Sequence, residues 1–139
     1  MRKITQIIIH CSASRTMVTA ATIKKLHVEQ NKWKDIGYHY VITPTGTIEF
    51  GRPESTAGAH AEGVNANSIG VCLGGLDDFP ERQMIALVHC VRSLMTKHKL
   101  TTNSVFCHYE VDNKGKTCPN IPGDVLRMLI KGESEWNLT

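Results

Sequence analysis

The sequence predicts a single α/β domain built on a mixed central β-sheet flanked by helices. Three observations predict it. Apolar or β-branched runs of strand length recur at Ile4–Cys11, Tyr38–Thr43, Ser68–Gly74 and Val105–His108. Helical periodicity falls between them, so strands interleave with helices as they do around a parallel sheet. One further run, Thr47–Phe50, follows Tyr38–Thr43 after only Pro44-Thr45-Gly46, a turn signal that brings the chain back as a hairpin.

Taken in order, Ile4–Cys11 opens the chain with three consecutive isoleucines, Ile7, Ile8 and Ile9, and reads as a buried strand. From Thr19 to Trp33 the positions Ala20, Ile23, Leu26, Gln30 and Trp33 include helical spacing, with Thr19 placed to cap the first turn. Then come the hairpin and a stretch from Gly51 to Asn67 that is polar, contains glycine and lacks periodicity. Loops of that length inside a small domain are functional or disordered. Ser68–Gly74 is a second core strand. Pro80–His98 is the clearest helix, because Met84, Leu87, Val88, Val91, Leu94 and Met95 make one apolar stripe behind Pro80 and Glu81 at its start. Val105–His108 is a short strand, and Pro122–Ile130 a last helix. The domain is expected over 1–131, with 132–139 a loosely held C-terminal tail.

A chain of 139 residues with 41% hydrophobic and 21% charged residues can bury one core. It is too polar for a membrane protein and too well patterned for disorder. The formal charge of +3 is mild. Without a Lys/Arg block, or aromatics alternating with basic residues, it gives no nucleic-acid footprint, though it suits loose attraction to an anionic polymer. Arg2 and Lys3 mimic the start of a signal peptide, but the apolar run stops after three isoleucines and no small-residue cleavage site follows. No segment approaches the roughly 20 apolar residues that cross a bilayer. The expectation is a soluble, cytosolically made monomer without nucleic-acid or membrane partners.

The five cysteines are an odd number, which argues against a complete disulfide framework. Cys11, Cys72, Cys90 and Cys107 sit in apolar surroundings and read as small buried hydrophobes. Cys118 differs. It lies in Lys116-Thr117-Cys118-Pro119-Asn120, where packing offers no reason for a thiol.

His10 ends the first predicted strand, His108 ends the last, and Cys118 lies in the loop that follows. Strand ends are where an α/β sheet presents side chains to a cleft. Two imidazoles and a thiolate make a sound ligand set for Zn²⁺ that leaves a fourth position for water. The spacing alone does not require this, and a capping histidine, a core histidine and a stray loop cysteine would look the same. Tyr38, in Gly37-Tyr38-His39-Tyr40, is either a core or rim aromatic or a hydroxyl donor beside a metal. Alternation puts Tyr38 and Tyr40 on one face and His39 on the other. Lys116 is either a solvated surface charge or, two residues from Cys118, an ammonium able to stabilise an oxyanion or move protons.

In combination these residues resemble the zinc-dependent N-acetylmuramoyl-L-alanine amidases, the family of T7-type phage lysozymes and peptidoglycan recognition proteins. The blocks that carry the resemblance follow in order. They are Ile7–Ser12, Trp33–Ile42, Gly46–Arg52, Gly58-Ala59-His60, Asn67–Gly75, His108–Val111 and Lys116–Pro119. The resemblance implies the peptidoglycan-recognition-protein-like amidase fold, with His10, His108 and Cys118 holding Zn²⁺. It implies Tyr38 and Lys116 as the catalytic side chains. It also places His60, and near it Arg52, beside the substrate groove, and leaves His39 structural. The implied reaction is hydrolysis of the amide between N-acetylmuramic acid and L-alanine in bacterial peptidoglycan or muropeptides, as by a phage or prophage endolysin acting after release or delivery. The His108–Cys118 interval looks slightly longer than in the phage lysozyme, which bears on where Lys116 points. Two other readings stay on the table. One is a non-catalytic peptidoglycan-binding module, which loss of the cysteine would mark. The other is a structural-zinc or metal-free domain with an unrelated partner, which a fourth ligand close to the site, Cys11 or His39, would favour.

Overall fold

The computed structural model describes residues 2–112 and 114–136. Five strands, β1 (Gln6–Cys11), β2 (Tyr40–Ile42), β3 (Ile48–Phe50), β4 (Ser68–Leu73) and β5 (Val105–Cys107), form one sheet in the order β3-β2-β4-β1-β5. β1 runs parallel to β4 and β5, and β2 parallel to β4, while β3 closes the edge antiparallel through the predicted hairpin. The expected mixed sheet is the one that forms. Helices α1 (Ala20–Glu29), α2 (Glu81–His98), α3 (His108–Val111) and α4 (Gly123–Lys131), with single 3-10 turns at Asn65–Asn67 and Thr102–Ser104, complete the described elements. None of the described helices is long and apolar enough to cross a membrane.

The sheet is buried on both faces, which is why β1 and β4 read as unbroken apolar runs. On one face Ile7, Ile9, Ile69, Val71, Leu73 and Val105 pack with Leu87, Val91 and Leu94 of α2 and Leu126 and Ile130 of α4. Each such side chain, fully buried, stabilises the fold by about 1.5–3 kcal/mol. A smaller cluster of Ile23, Ile36, Val41 and Cys72 covers the other face beneath α1.

α1 starts where expected, with Thr19 and Thr22 forming a reciprocal capping box, but ends at Glu29 instead of reaching Trp33. Lys32 adopts a left-handed φ of 60°, turning the chain back so that the Trp33 ring packs edge-on against His27 at 4.6 Å. β2 likewise begins at Tyr40 rather than Tyr38. Just before it, the carbonyls of Tyr38 and His39 both accept from the β3 side, from Arg52 N (2.9 Å) and Gly51 N (2.8 Å). In a regular strand only alternate carbonyls face one neighbour, so the chain bulges here and side-chain alternation slips. Tyr38 therefore packs with Val41 and Cys72 on the α1 face, whereas Tyr40 packs on the α2 face. The expectation that the two tyrosines share a face is corrected accordingly.

The segment 51–67 has no strand or α-helix, as expected, but it is tied down. Arg2 donates to the carbonyls of Glu54 (2.6 Å), Asn65 (3.1 Å) and Ser68 (3.2 Å). Glu54 in turn accepts from Tyr40, from His98 at 2.7 Å and from Lys97 at 3.2 Å. At the other end Gly132 caps α4 with φ 82°, and in the expected tail Trp136 Nε1 donates to Phe79 O at 2.7 Å. Residues 137–139 of that tail lie outside the described residues.

Candidate metal centre

Register builds the site. β1 and β5 are parallel with Ile9 opposite Cys107, so the next residues along each chain, His10 and His108, emerge together at the carboxyl edge of the sheet. Their ring centroids are 4.4 Å apart. His108 opens the single turn α3, anchored by Glu110, whose carboxylate accepts from Cys107 N (2.8 Å) and pairs with Arg127 (2.9 Å). It then returns, with Tyr109 N donating to Cys118 O at 3.2 Å and Cys11 N donating to Cys118 Sγ at 2.9 Å. One ligand atom each from His10, His108 and Cys118 lies within 4.8 Å of the other two. Neither Cys11 nor His39 belongs to that group.

The donor set fits a divalent cation of zinc type. Both imidazoles carry a polar partner behind them: His10 Nε2 lies 2.9 Å from His60 Nδ1, and His108 Nε2 lies 3.5 Å from Asp112 Oδ2. Metal-ligating histidines typically engage their second nitrogen in this way. Burial, then the neighbouring His60 and His108, push the His10 imidazolium far down, and burial lowers His108, with Lys116 adding to the effect against Asp112. Both rings are therefore held neutral, the form that binds metal. The Cys118 thiol is pushed up by its hydrogen bond with Cys11 and then by burial. A cation is the charge that would draw its proton off. Three protein donors from N and S, with none of the described neighbours supplying a fourth, match an open catalytic shell rather than a closed structural one.

Tyr38 stands beside this group, its ring centroid 5.0 Å from that of His10. Burial first, then the sulfurs of Cys72 and Cys118, raise its phenol well above the ordinary value, so it stays a hydroxyl donor at neutral pH. The segment bearing it is set by His27 of α1, whose Nδ1 accepts from Gly37 N at 2.9 Å and whose ring lies 5.6 Å from that of Tyr38. Sequence reasoning missed His27. The signal was present: it lies four residues after Ile23, on the buried stripe of α1. Lys116 is exposed. With Tyr109, Thr117, Asn120, Ile121 and Pro122 it lines an open depression of about 500 Å³.

His60 and Arg52, expected beside the substrate groove, both make hydrogen bonds within the protein. His60 is buried, with Nδ1 on His10 and Nε2 3.2 Å from Ser68 Oγ, so both its ring nitrogens are engaged within the protein. Arg52 donates to the carbonyls of Ile36 (2.7 Å) and Ala57 (2.9 Å), lacing the long loop to the segment before Tyr38. His39 is also internally engaged, accepting from Gly70 N at 3.0 Å and bonding Thr56 O at 2.8 Å.

Known proteins share this arrangement of strands and much of this sequence. The family profile described as N-acetylmuramoyl-L-alanine amidase matches residues 1–121. The endolysin of Escherichia phage T7 is 39% identical over 137 residues, covering 91% of this chain and 86% of that protein. The endolysin of Enterobacteria phage T3 is 40% identical over 138 residues, with coverage of 91% and 86%. Among solved structures, the N-acetylmuramoyl-L-alanine amidase LysC from Clostridium intestinale URNW superposes with a TM-score of 0.82 at 32% identity, over 94% of this chain and 87% of that one. Drosophila PGRP-LB shares the fold, with a TM-score of 0.76 at 23% identity over 100% and 88% of the two chains. The chain belongs to the N-acetylmuramoyl-L-alanine amidase family.

Proposed function

We propose that this amidase works as a zinc-dependent endolysin, with His10, His108 and Cys118 as the metal ligands and Tyr38 and Lys116 as the catalytic side chains. The observation that carries the reading is the convergence of two neutral imidazoles and one sulfur within 4.8 Å of one another at the carboxyl edge of the sheet. Because His10 Nε2 and His108 Nε2 face His60 and Asp112, the Nδ1 atoms are the ones left to bind. When bound, zinc supplies Lewis-acid polarisation of the scissile carbonyl and acidifies a water toward neutrality.

The chain's own groups account for the remaining chemistry. Tyr38, protonated and fixed through Gly37 and His27, donates to the oxygen that gains charge as the lactyl–alanine amide is attacked. Lys116, at the rim of the open depression, brings a positive charge to the same oxygen or a proton to the departing amine of L-alanine. The substrate is bacterial peptidoglycan or its soluble muropeptides. The protein acts as a monomer, made in the cytoplasm and reaching the wall after release or delivery. The kinship with the T7 and T3 endolysins supports that setting.

The test is turbidity loss of purified cell walls, with zinc content measured in parallel. Wild-type protein should clear the walls, lose that activity to a strong chelator and regain it with zinc. Cys118→Ser should bind less zinc and lose activity by more than the 10²–10³-fold, roughly, that removal of one oxyanion donor costs. Full zinc and full activity in folded Cys118→Ser protein would overturn the ligand assignment.

A further inference from the structure

We infer that His60 is a positioning residue for the metal site, fixing through its own tautomer which nitrogen of His10 faces the cation. The inference rests on the zinc reading above and adds to it a residue outside the group of three ligands. Only one hydrogen can lie between His10 Nε2 and His60 Nδ1, which are 2.9 Å apart. If His60 Nδ1 accepts, His10 carries its proton on Nε2 and its Nδ1 lone pair is free for a metal. If His60 Nδ1 donates instead, a neutral His10 must keep its proton on Nδ1 and cannot bind there. A neutral His60 that accepts at Nδ1 has its hydrogen on Nε2, where Ser68 Oγ lies 3.2 Å away to receive it. The Ser68 hydroxyl can accept that hydrogen, so the row Ser68–His60–His10 closes in the direction that exposes the ligand lone pair.

The protein builds a seat for this ring. Gly70 lies directly under it, and a Cβ at that position would come within 2.6 Å of His60 Cγ. A Cβ on Gly58 would meet the ring edge at the same 2.6 Å. The backbone before the ring is pinned by Asn65, whose Oδ1 accepts from His60 N (3.0 Å) and Ala61 N (2.9 Å). A side chain needed only to fill space would not require two ring nitrogens aligned between a ligand histidine and a buried serine.

The experiment measures zinc affinity of the full-length protein by chelator competition, together with the visible spectrum of the cobalt-substituted form. His60→Phe keeps the bulk and removes the acceptor, and it should weaken zinc binding about 10–100-fold. It should also change the cobalt spectrum at saturating metal. His60→Asn, which can return an acceptor oxygen near the Nδ1 position, should recover much of the affinity. Ser68→Ala should show a smaller loss in the same direction. Equal zinc affinity and identical cobalt spectra for wild type and a folded His60→Phe would overturn the inference. Should that variant not fold, Ser68→Ala and His60→Asn carry the test, and both matching alanine-like loss of stability with unchanged affinity would overturn it equally. Failure of the wild type itself to bind zinc would instead sink the metal reading.

Discussion

The two faces of the central sheet are made by the same strands and do different work. In β1, Ile7, Ile9 and Cys11 enter the large apolar cluster against α2 and α4. The alternate residues Ile8 and His10 look the other way, toward the side where His60, Tyr38 and Cys72 gather. β4 repeats the division, with Ile69, Val71 and Leu73 on the dry face and Ser68, Gly70 and Cys72 on the other. A period of two lets one buried strand serve the core with its odd positions and the candidate site with its even ones. Stability and catalysis should accordingly be separable by mutation.

Leu87→Ala, on the dry face, offers the largest expected effect on folding. It removes a fully buried side chain of α2 and should cost about 2–5 kcal/mol in denaturant unfolding. Turnover per folded molecule and zinc stoichiometry should not change, and a fall in either would break the division. Tyr38→Phe is the reciprocal test. It should lower kcat by about 10²–10³-fold while leaving the unfolding midpoint nearly where it was. Loss of stability without loss of rate would return Tyr38 to the role of a packing aromatic.

A smaller effect is expected at the tether of the long loop. The hydrogen bonds from Tyr40, His98 and Lys97 outweigh the opposing effect of burial and hold the Glu54 carboxyl below its ordinary value. Its folded form thus binds protons less readily than its unfolded one. Its contribution is present above the ordinary value of 4.5 and disappears as pH falls through the lower folded value. Glu54→Gln should therefore lose about 1–3 kcal/mol at neutral pH. The gap between wild type and variant should narrow as unfolding is measured at progressively lower pH below 4.5. A gap that stayed constant would show that the tether works by shape and not by charge.

Much of this was legible in the chain itself. The five strands, the hairpin and the long α2 follow from local apolar patterning, which is decided within a few residues. The strand ends also pointed to His10 and His108, because parallel sheets gather function at their carboxyl edges. Local reading failed where distant chain segments decide. Tyr38 leaves the face that alternation gave it because Gly51 and Arg52 both bond back to its neighbourhood. The contact of His60 with His10 is invisible to local reading, because the two lie 50 residues apart in sequence. The carbonyls of Ile36 and Ala57 that Arg52 bonds likewise carry no mark in sequence. Cys118 was identifiable only by its unexpected polar setting.

One consequence of the β1–β5 register reaches beyond this site. The separation of the His10 and His108 rings is inherited from the peptide ladder, whose strands sit about 4.8 Å apart whatever side chains they bear. Drift in the surrounding loops can therefore alter reach, charge or substrate preference without resetting that gauge. Cys118 stands outside that ladder, and its sulfur is placed instead by its own contact with Cys11 N at 2.9 Å, so of the three proposed ligands it is the one whose position the strand register does not set.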